Sequence, residues 1–71
     1  NKVDKQILSQ LKPLVNNLKL LNSFNDYIDA LIEQQHKALE QTDNTVMMHR
    51  SQGAIATLRR LKLLRDSVNN A

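Results

Sequence analysis

Apolar residues recur in this chain at alternating intervals of four and three, and that spacing restricts the chain to helices. In the first third of the sequence the pattern runs through Ile7, Leu11, Leu14, Leu18 and Leu21. Side chains at this spacing share one face of an α-helix, whereas a half-buried strand needs alternation at every second residue. One Gly and one Pro are too few turn-forming residues for a series of β-hairpins. The sequence therefore predicts an all-α fold.

Boundary signals divide the chain into three predicted helices. An amphipathic helix over about 3–21 is expected to kink rather than break near Pro13, because the apolar spacing continues through the proline. Ser23 is a suitable N-cap for a second helix over about 24–41, and a polar turn should precede a third helix over about 45–69. The prediction is one structural unit, in which an N-terminal helix within residues 1–22 precedes an antiparallel helical hairpin, residues 23–71.

The third predicted helix carries its apolar seam at Met47, Ala54, Leu61 and Val68, which are seven residues apart. Gly53 lies at the edge of that seam, where glycine lowers helix propensity by about 1 kcal/mol relative to alanine. A close approach of the second helix would explain the glycine, and a local break in the third helix is the alternative. We expect close helix packing at Gly53.

The predicted core is small for a stable monomer. A chain of 71 residues buries only about 60% of its unfolded surface, and without cysteine it has no disulfide or thiolate metal site to add stability. Self-association or docking on a larger protein is therefore expected. The apolar residues predicted to contact a partner are Ile7, Leu11, Leu14, Leu18, Leu21, Met48, Ile55 and Leu63.

Charged residues are divided into three blocks along the sequence. Residues 1–22 carry four lysines and one acid, residues 23–45 five acids and one lysine, and residues 46–71 five bases and one acid. The acids of the second predicted helix lie opposite its apolar side, which favours contacts with other subunits over internal ion pairs. The residues predicted to make such charged contacts are Lys5, Lys12, Lys19, Asp26, Asp29, Glu33, Glu40, Arg59 and Lys62.

No combination of residues predicts a reaction or a cofactor. Glu33 and His36 have the spacing found in carboxylate-bridged di-iron bundles, but the third helix offers no acid before Asp66. His36 and His49 could meet across the hairpin, although two ligands alone form only a weak metal site. The serines and threonines lack a histidine and carboxylate on a shared face, and the chain has no glycine-rich phosphate loop. We therefore expect no enzymatic activity, no metal and no cofactor.

The basic residues of the third predicted helix make nucleic acid binding the second hypothesis. The chain has a net charge of +3, and this helix contains Arg50, Arg59, Arg60, Lys62 and Arg65. These residues point in several directions around the helix, so they form no single row along a phosphate backbone, and protein contact is favoured. No apolar run approaches the length of a transmembrane helix, and binding of 3–21 to a membrane surface is a third hypothesis.

Three segments between Phe24 and Leu64 share a recognisable pattern. They are the aromatic start Phe24-Asn25-Asp26-Tyr27, the acid- and Gln-rich arm ending at Thr42-Asp43, and Arg50-Ser51-Gln52-Gly53-Ala54-Ile55 followed by a leucine-rich helix. This run, a little over half of the chain, resembles small helical-hairpin proteins from the structural and packaging genes of tailed bacteriophages. The resemblance implies a virion or assembly component, in the virion or the host cytoplasm, that forms a homo-oligomer or binds capsid, portal or tail proteins.

Overall fold

A computed structural model describes residues 4–70, and every regular element in this range is a helix. The helices are α1, Lys5–Ser9; α2, Lys12–Val15; α3, Leu18–Gln41; α4, Thr45–Leu61; and α5, Leu64–Asn69. The two long helices, α3 and α4, are joined by a short turn and pack against each other along their length. The prediction of an all-α fold built on a helical hairpin is therefore confirmed.

The hairpin turn, residues 42–44, is stabilised by side-chain caps. Asn44 Oδ1 accepts a hydrogen bond from the backbone N–H of Met47 at 3.1 Å, and the Thr42 hydroxyl accepts one from the N–H of Asn44 at 3.1 Å. These oxygens satisfy backbone donors that have no partner within the helix. The predictions that one helix ends at residue 41 and that the next begins at residue 45 are both confirmed.

The prediction of one kinked helix over 3–21 is wrong. Non-helical connections at 10–11 and 16–17 divide this region into α1, α2 and the first turn of α3. Pro13 lies in the first turn of α2, where its missing N–H removes no hydrogen bond from the helix. Asn17 adopts an extended backbone, and its side chain caps α3 by accepting a hydrogen bond from the first turn at 3.1 Å. Between residues 4 and 21 the chain is therefore broken at two sites.

The long helix α3 begins at Leu18, well before the predicted start near residue 24. Ser23, which was predicted to be an N-cap, is an exposed residue in the interior of α3. No Pro or Gly lies between 18 and 41, so nothing interrupts the helix after Asn17 has capped it. The predicted division between residues 22 and 23 is therefore not an element boundary. Val3 and Ala71, at the ends of the predicted segments, lie outside the described residues.

Two groups of buried residues hold the helices together. Ile28 of α3 and Ile55 of α4 are buried in the hairpin, with 2% and 6% of their surfaces exposed. At the open end of the hairpin Val15, Leu21 and Val68 form a second cluster. The partly buried residues packed against this cluster are Leu8, Leu11 and Leu64. The short helices α1 and α2 therefore pack on α5 and α3 of their own chain.

The buried side of α4 differs from the predicted seam. Its buried residues are Ser51 and Ile55, four positions apart, whereas Met47 and Leu61 of the predicted seam are 47% and 39% exposed. A polar residue, Ser51, occupies a buried position and interrupts the apolar pattern on the side that faces α3. The more regular apolar series at Met47, Ala54 and Leu61 lies on a partly exposed flank of the helix, whereas Val68, the fourth residue of the predicted seam, lies in α5 and is fully buried.

The helices form a thin layer rather than a rounded domain. The principal extents of the backbone are 41 × 29 × 13 Å, and its radius of gyration is 14.5 Å. A compact chain of this length has a radius of gyration of about 11 Å. Helices α1, α2 and α5 pack mainly on one another and on the start of α3, so within residues 4–70 they form no second layer along the rest of the hairpin.

Gly53 does not mediate close helix packing, and α4 is not broken there. A Cβ atom placed on this residue would have nothing within 4 Å, and the residue is exposed within a continuous helix. Its φ is not positive, so the backbone does not require glycine. Both explanations that the sequence suggested for Gly53 are therefore wrong, and α4 ends at Leu61 instead.

The substitution Gly53→Ala should raise the free energy of unfolding by about 0.5–1 kcal/mol, because alanine restricts the unfolded chain and favours the helix without a clash. Urea unfolding followed by circular dichroism measures the change. The reverse substitution at a nearby exposed position, Ala56→Gly, serves as the control and should lower stability by a similar amount. A destabilising Gly53→Ala would mean that the residue has a neighbour.

Candidate interaction surfaces

One broad face of the hairpin contains an open groove between α3 and α4. The groove has a volume of about 260 Å³ and is lined by His36, Leu39, Gln52, Ile55, Ala56 and Arg59. We call this side of the hairpin the groove face. Its lining is a mixture of polar and apolar groups with one histidine and one arginine, a set that matches no nucleophilic or acid–base arrangement.

Helix α3 carries an apolar stripe on the side away from the groove. Tyr27 is nine residues from His36 and Ala38 is two residues from it, and at about 100° per residue both lie on the opposite side of the helix. The stripe follows heptad spacing and consists of Leu20, Phe24, Tyr27, Leu31 and Ala38. Tyr27 is 63% exposed and Leu20 is 48% exposed. The contacts within the chain therefore leave much of this stripe in water.

Helix α4 carries a matching stripe on the same side of the hairpin. Gln52 and Arg59 line the groove, and the residues two positions further along, Ala54 and Leu61, lie about 200° away around the helix. Together with Met47 they form a series at intervals of seven. The α3 stripe and the α4 stripe make up one surface, which we call the apolar face.

Four of the residues predicted to contact a partner are used inside the chain. Leu21 and Ile55 are buried, with 7% and 6% of their surfaces exposed, so the prediction that they form an intermolecular surface is wrong. Leu11 and Leu14 are half-buried, and Leu11 packs on the cluster at the open end. These leucines and this isoleucine hold the chain's own helices together.

The other four predicted contact residues are exposed, and one of them lies on the groove side. Ile7, Leu18, Met48 and Leu63 are 54%, 69%, 36% and 57% exposed. Leu18 precedes His36 by five full turns of the helix and so lies on its groove side, away from the apolar face. The prediction missed Leu20 and the other residues of the α3 stripe as a set. The heptad spacing of these residues could have identified the stripe, but the boundary predicted at 22–23 placed Leu20 in a different helix from the other four.

Two of the predicted charged residues form an ion pair within the chain. Lys62 Nζ lies 2.6 Å from Asp29 Oδ1, and these side chains are 39% and 55% exposed. The charge pattern did not predict this internal ion pair, and both side chains remain in contact with solvent. An ion pair with this much exposure stabilises a fold by only about 0.2–1 kcal/mol. The other predicted charged residues, Lys5, Lys12, Lys19, Asp26, Glu33, Glu40 and Arg59, are exposed.

The structure places the two histidines in different surroundings. His36 lies in the groove beside Ile55 and Ala56, and His49 is not part of that lining. Among residues 4–70, no three histidine or carboxylate side chains are grouped closely enough to hold a metal ion. Over the same range, no helix combines the length and the apolar character that crossing a bilayer requires.

Comparison of the chain with protein-family models, with curated proteins and with solved structures found no match. The apolar face, the groove face and the charges around them are therefore the structural grounds for assigning a function.

The Asp29–Lys62 pair should show a coupling energy of about 0.2–1 kcal/mol in a double-mutant cycle built from Asp29→Asn and Lys62→Gln. Urea unfolding measures it, and the coupling should shrink at high salt because exposed charges are screened. Asp26, one turn earlier on α3 and also exposed, provides the matched control. If a double-mutant cycle built from Asp26→Asn and Lys62→Gln gave an equal coupling energy, the contact between Asp29 and Lys62 would have no specific role.

Proposed function

We propose that this chain is a non-enzymatic interaction protein that binds other protein subunits through its apolar face. The observation that carries the proposal is the exposure of Leu20, Tyr27, Met47 and Leu61 on one side of two packed helices. Single exposed apolar side chains are ordinary on protein surfaces, but a patch that extends over two helices is a recognised sign of a contact surface. The exposed aromatic ring of Tyr27 adds to this, because tyrosine is enriched at protein interfaces.

We place this interaction in the particle or the assembly pathway of a tailed bacteriophage. The support is the resemblance of residues 24–64 to small helical-hairpin proteins of phage structural and packaging genes. A thin helical unit suits such a role because contacts with neighbouring subunits add stability that its own small core does not supply. The partners would be further copies of the chain or capsid, portal or tail proteins.

Replacing Tyr27 with lysine should reduce incorporation of the protein into particles several-fold, because the change places a charge on the apolar face. Phage that carry the substitution are purified, and quantitative mass spectrometry measures the amount of this protein in the particles relative to the major capsid protein. Leu18→Lys is the matched control, since Leu18 is similarly exposed but lies on the groove side. Circular dichroism should show that both variants remain folded.

Two results would contradict the proposal. If the wild-type protein is found neither in particles nor bound to particle proteins in infected cells, the phage setting is wrong. If Tyr27→Lys and Leu18→Lys are incorporated at the same level as wild type, the apolar face is not the contact surface.

Nucleic acid binding is the second candidate, because α4 contains three arginines and no acid. Arg59 lies in the groove, Arg60 is about 100° further around the helix, and Lys62 is paired with Asp29. This scatter leaves few bases to contact one phosphate backbone, so the observation supports protein binding more strongly than nucleic acid binding.

Duplex DNA titrated at several salt concentrations should bind weakly, with a slope of log affinity on log salt no steeper than about −3, because each neutralised phosphate contributes about −0.9. Fluorescence anisotropy of labelled DNA measures the slope. The control is a variant in which Arg50, Arg59 and Arg60 are all replaced by Gln, because any DNA binding that it retains does not depend on these arginines. A tight complex with a much steeper slope would make DNA the primary partner.

A further inference from the structure

We propose that a second copy of this chain covers the apolar face. Two hairpins then stack through this face into a four-helix bundle. The inference rests on the proposed function, because it names the partner of the same surface.

The amount of exposed surface fits a missing partner layer. The accessible surface of the chain is 5704 Å², about 1,200 Å² more than the roughly 4,500 Å² expected for a compact monomer of its mass. A standard interface covers about 800 Å² on each partner. Covering the apolar face to that extent would bring the exposed surface of each chain close to the value for a compact protein.

The shape of the chain favours stacking face to face over contact at the edges. Along most of its length the hairpin consists of two helices packed side by side, whereas domains are ordinarily built from at least two packed layers around a common core. A two-fold axis between two such layers brings the apolar face of one copy against the same face of the other. Leu20, Tyr27 and Leu61, which a single layer leaves in water, then enter the core of a bundle.

A two-fold axis permits two ways of stacking the hairpins. When both turns are at the same end, α3 of each copy lies over α4 of the other, and when the turns are at opposite ends, α3 lies over α3 and α4 over α4. The charges do not select one of these orientations, because the four acids of α3 lie about 100° or more around the helix from Tyr27, and Arg59 of α4 lies in the groove, away from the apolar face.

Spin labels in the turn distinguish the two orientations. The sequence contains no cysteine, so Asp43→Cys gives a single attachment site in an exposed part of the turn. With the turns together, the distance between labels should be below about 25 Å, because neighbouring helices in a bundle lie about 8–10 Å apart. With the turns apart, the label distance should exceed about 35 Å, since a helix of 24 residues is about 36 Å long.

Sedimentation velocity from about 1 to about 100 µM should show a monomer–dimer equilibrium of the unlabelled chain, over a range that covers micromolar dissociation constants. Adding Tyr27→Lys should abolish both the dimer and the dipolar signal, and Leu18→Lys should preserve both.

Each outcome bears on a different part of the inference. A dimer that Tyr27→Lys abolishes supports it, and the label distance then gives the orientation of the two hairpins. A dimer indifferent to Tyr27→Lys overturns the surface. A chain that stays monomeric throughout the concentration range overturns the second copy as partner, whereas incorporation into particles tests the proposed function independently.

Discussion

The packing of α3 against α4 in a single layer is the constraint on which the rest of this structure depends. Each helix can present only one side to its neighbour, and that side contains Ile28 in one arm and Ile55 in the other. All remaining apolar residues must find cover elsewhere or stay in water. Near the open end, α1, α2 and α5 supply cover for Leu21. Along the rest of the hairpin, the helices within residues 4–70 leave the apolar face without such cover, and the functional proposal rests on that exposure.

The sequence was sufficient to predict the class of fold and the turn, because both follow from local chemistry. Asn44 caps α4 as its position after a weakly helical stretch indicates, and apolar spacing identifies the helices. The start of α3 was not predicted, because Ser23 and Asn17 are both acceptable N-caps and sequence alone does not rank them. That single error concealed the α3 stripe, since it assigned Leu20 and Tyr27 to different helices.

The buried side of α4 shows a second limit of sequence reasoning. Apolar periodicity selects the most regular series, Met47, Ala54 and Leu61, whereas the side that meets α3 includes the buried Ser51. A small polar residue at such a position allows close approach but carries no apolar signal. The regular series is still informative. Contact with α3 buries only one side of α4, so a second apolar side on the same helix remains exposed. The apolar period therefore identifies the exposed series on α4, but it wrongly predicts that this series is the side that contacts α3.

The separation of the buried residues into two groups has a consequence for how the chain unfolds. Ile28 and Ile55 lie within the hairpin, whereas Val15, Leu21 and Val68 lie where α1, α2 and α5 meet the start of α3. Helix α3 is the one element that contributes to both groups, and Lys62, at the end of α4, adds a weak link to Asp29. The two regions can therefore open with different free energies, and amide hydrogen exchange would resolve them as separate cooperative units rather than one.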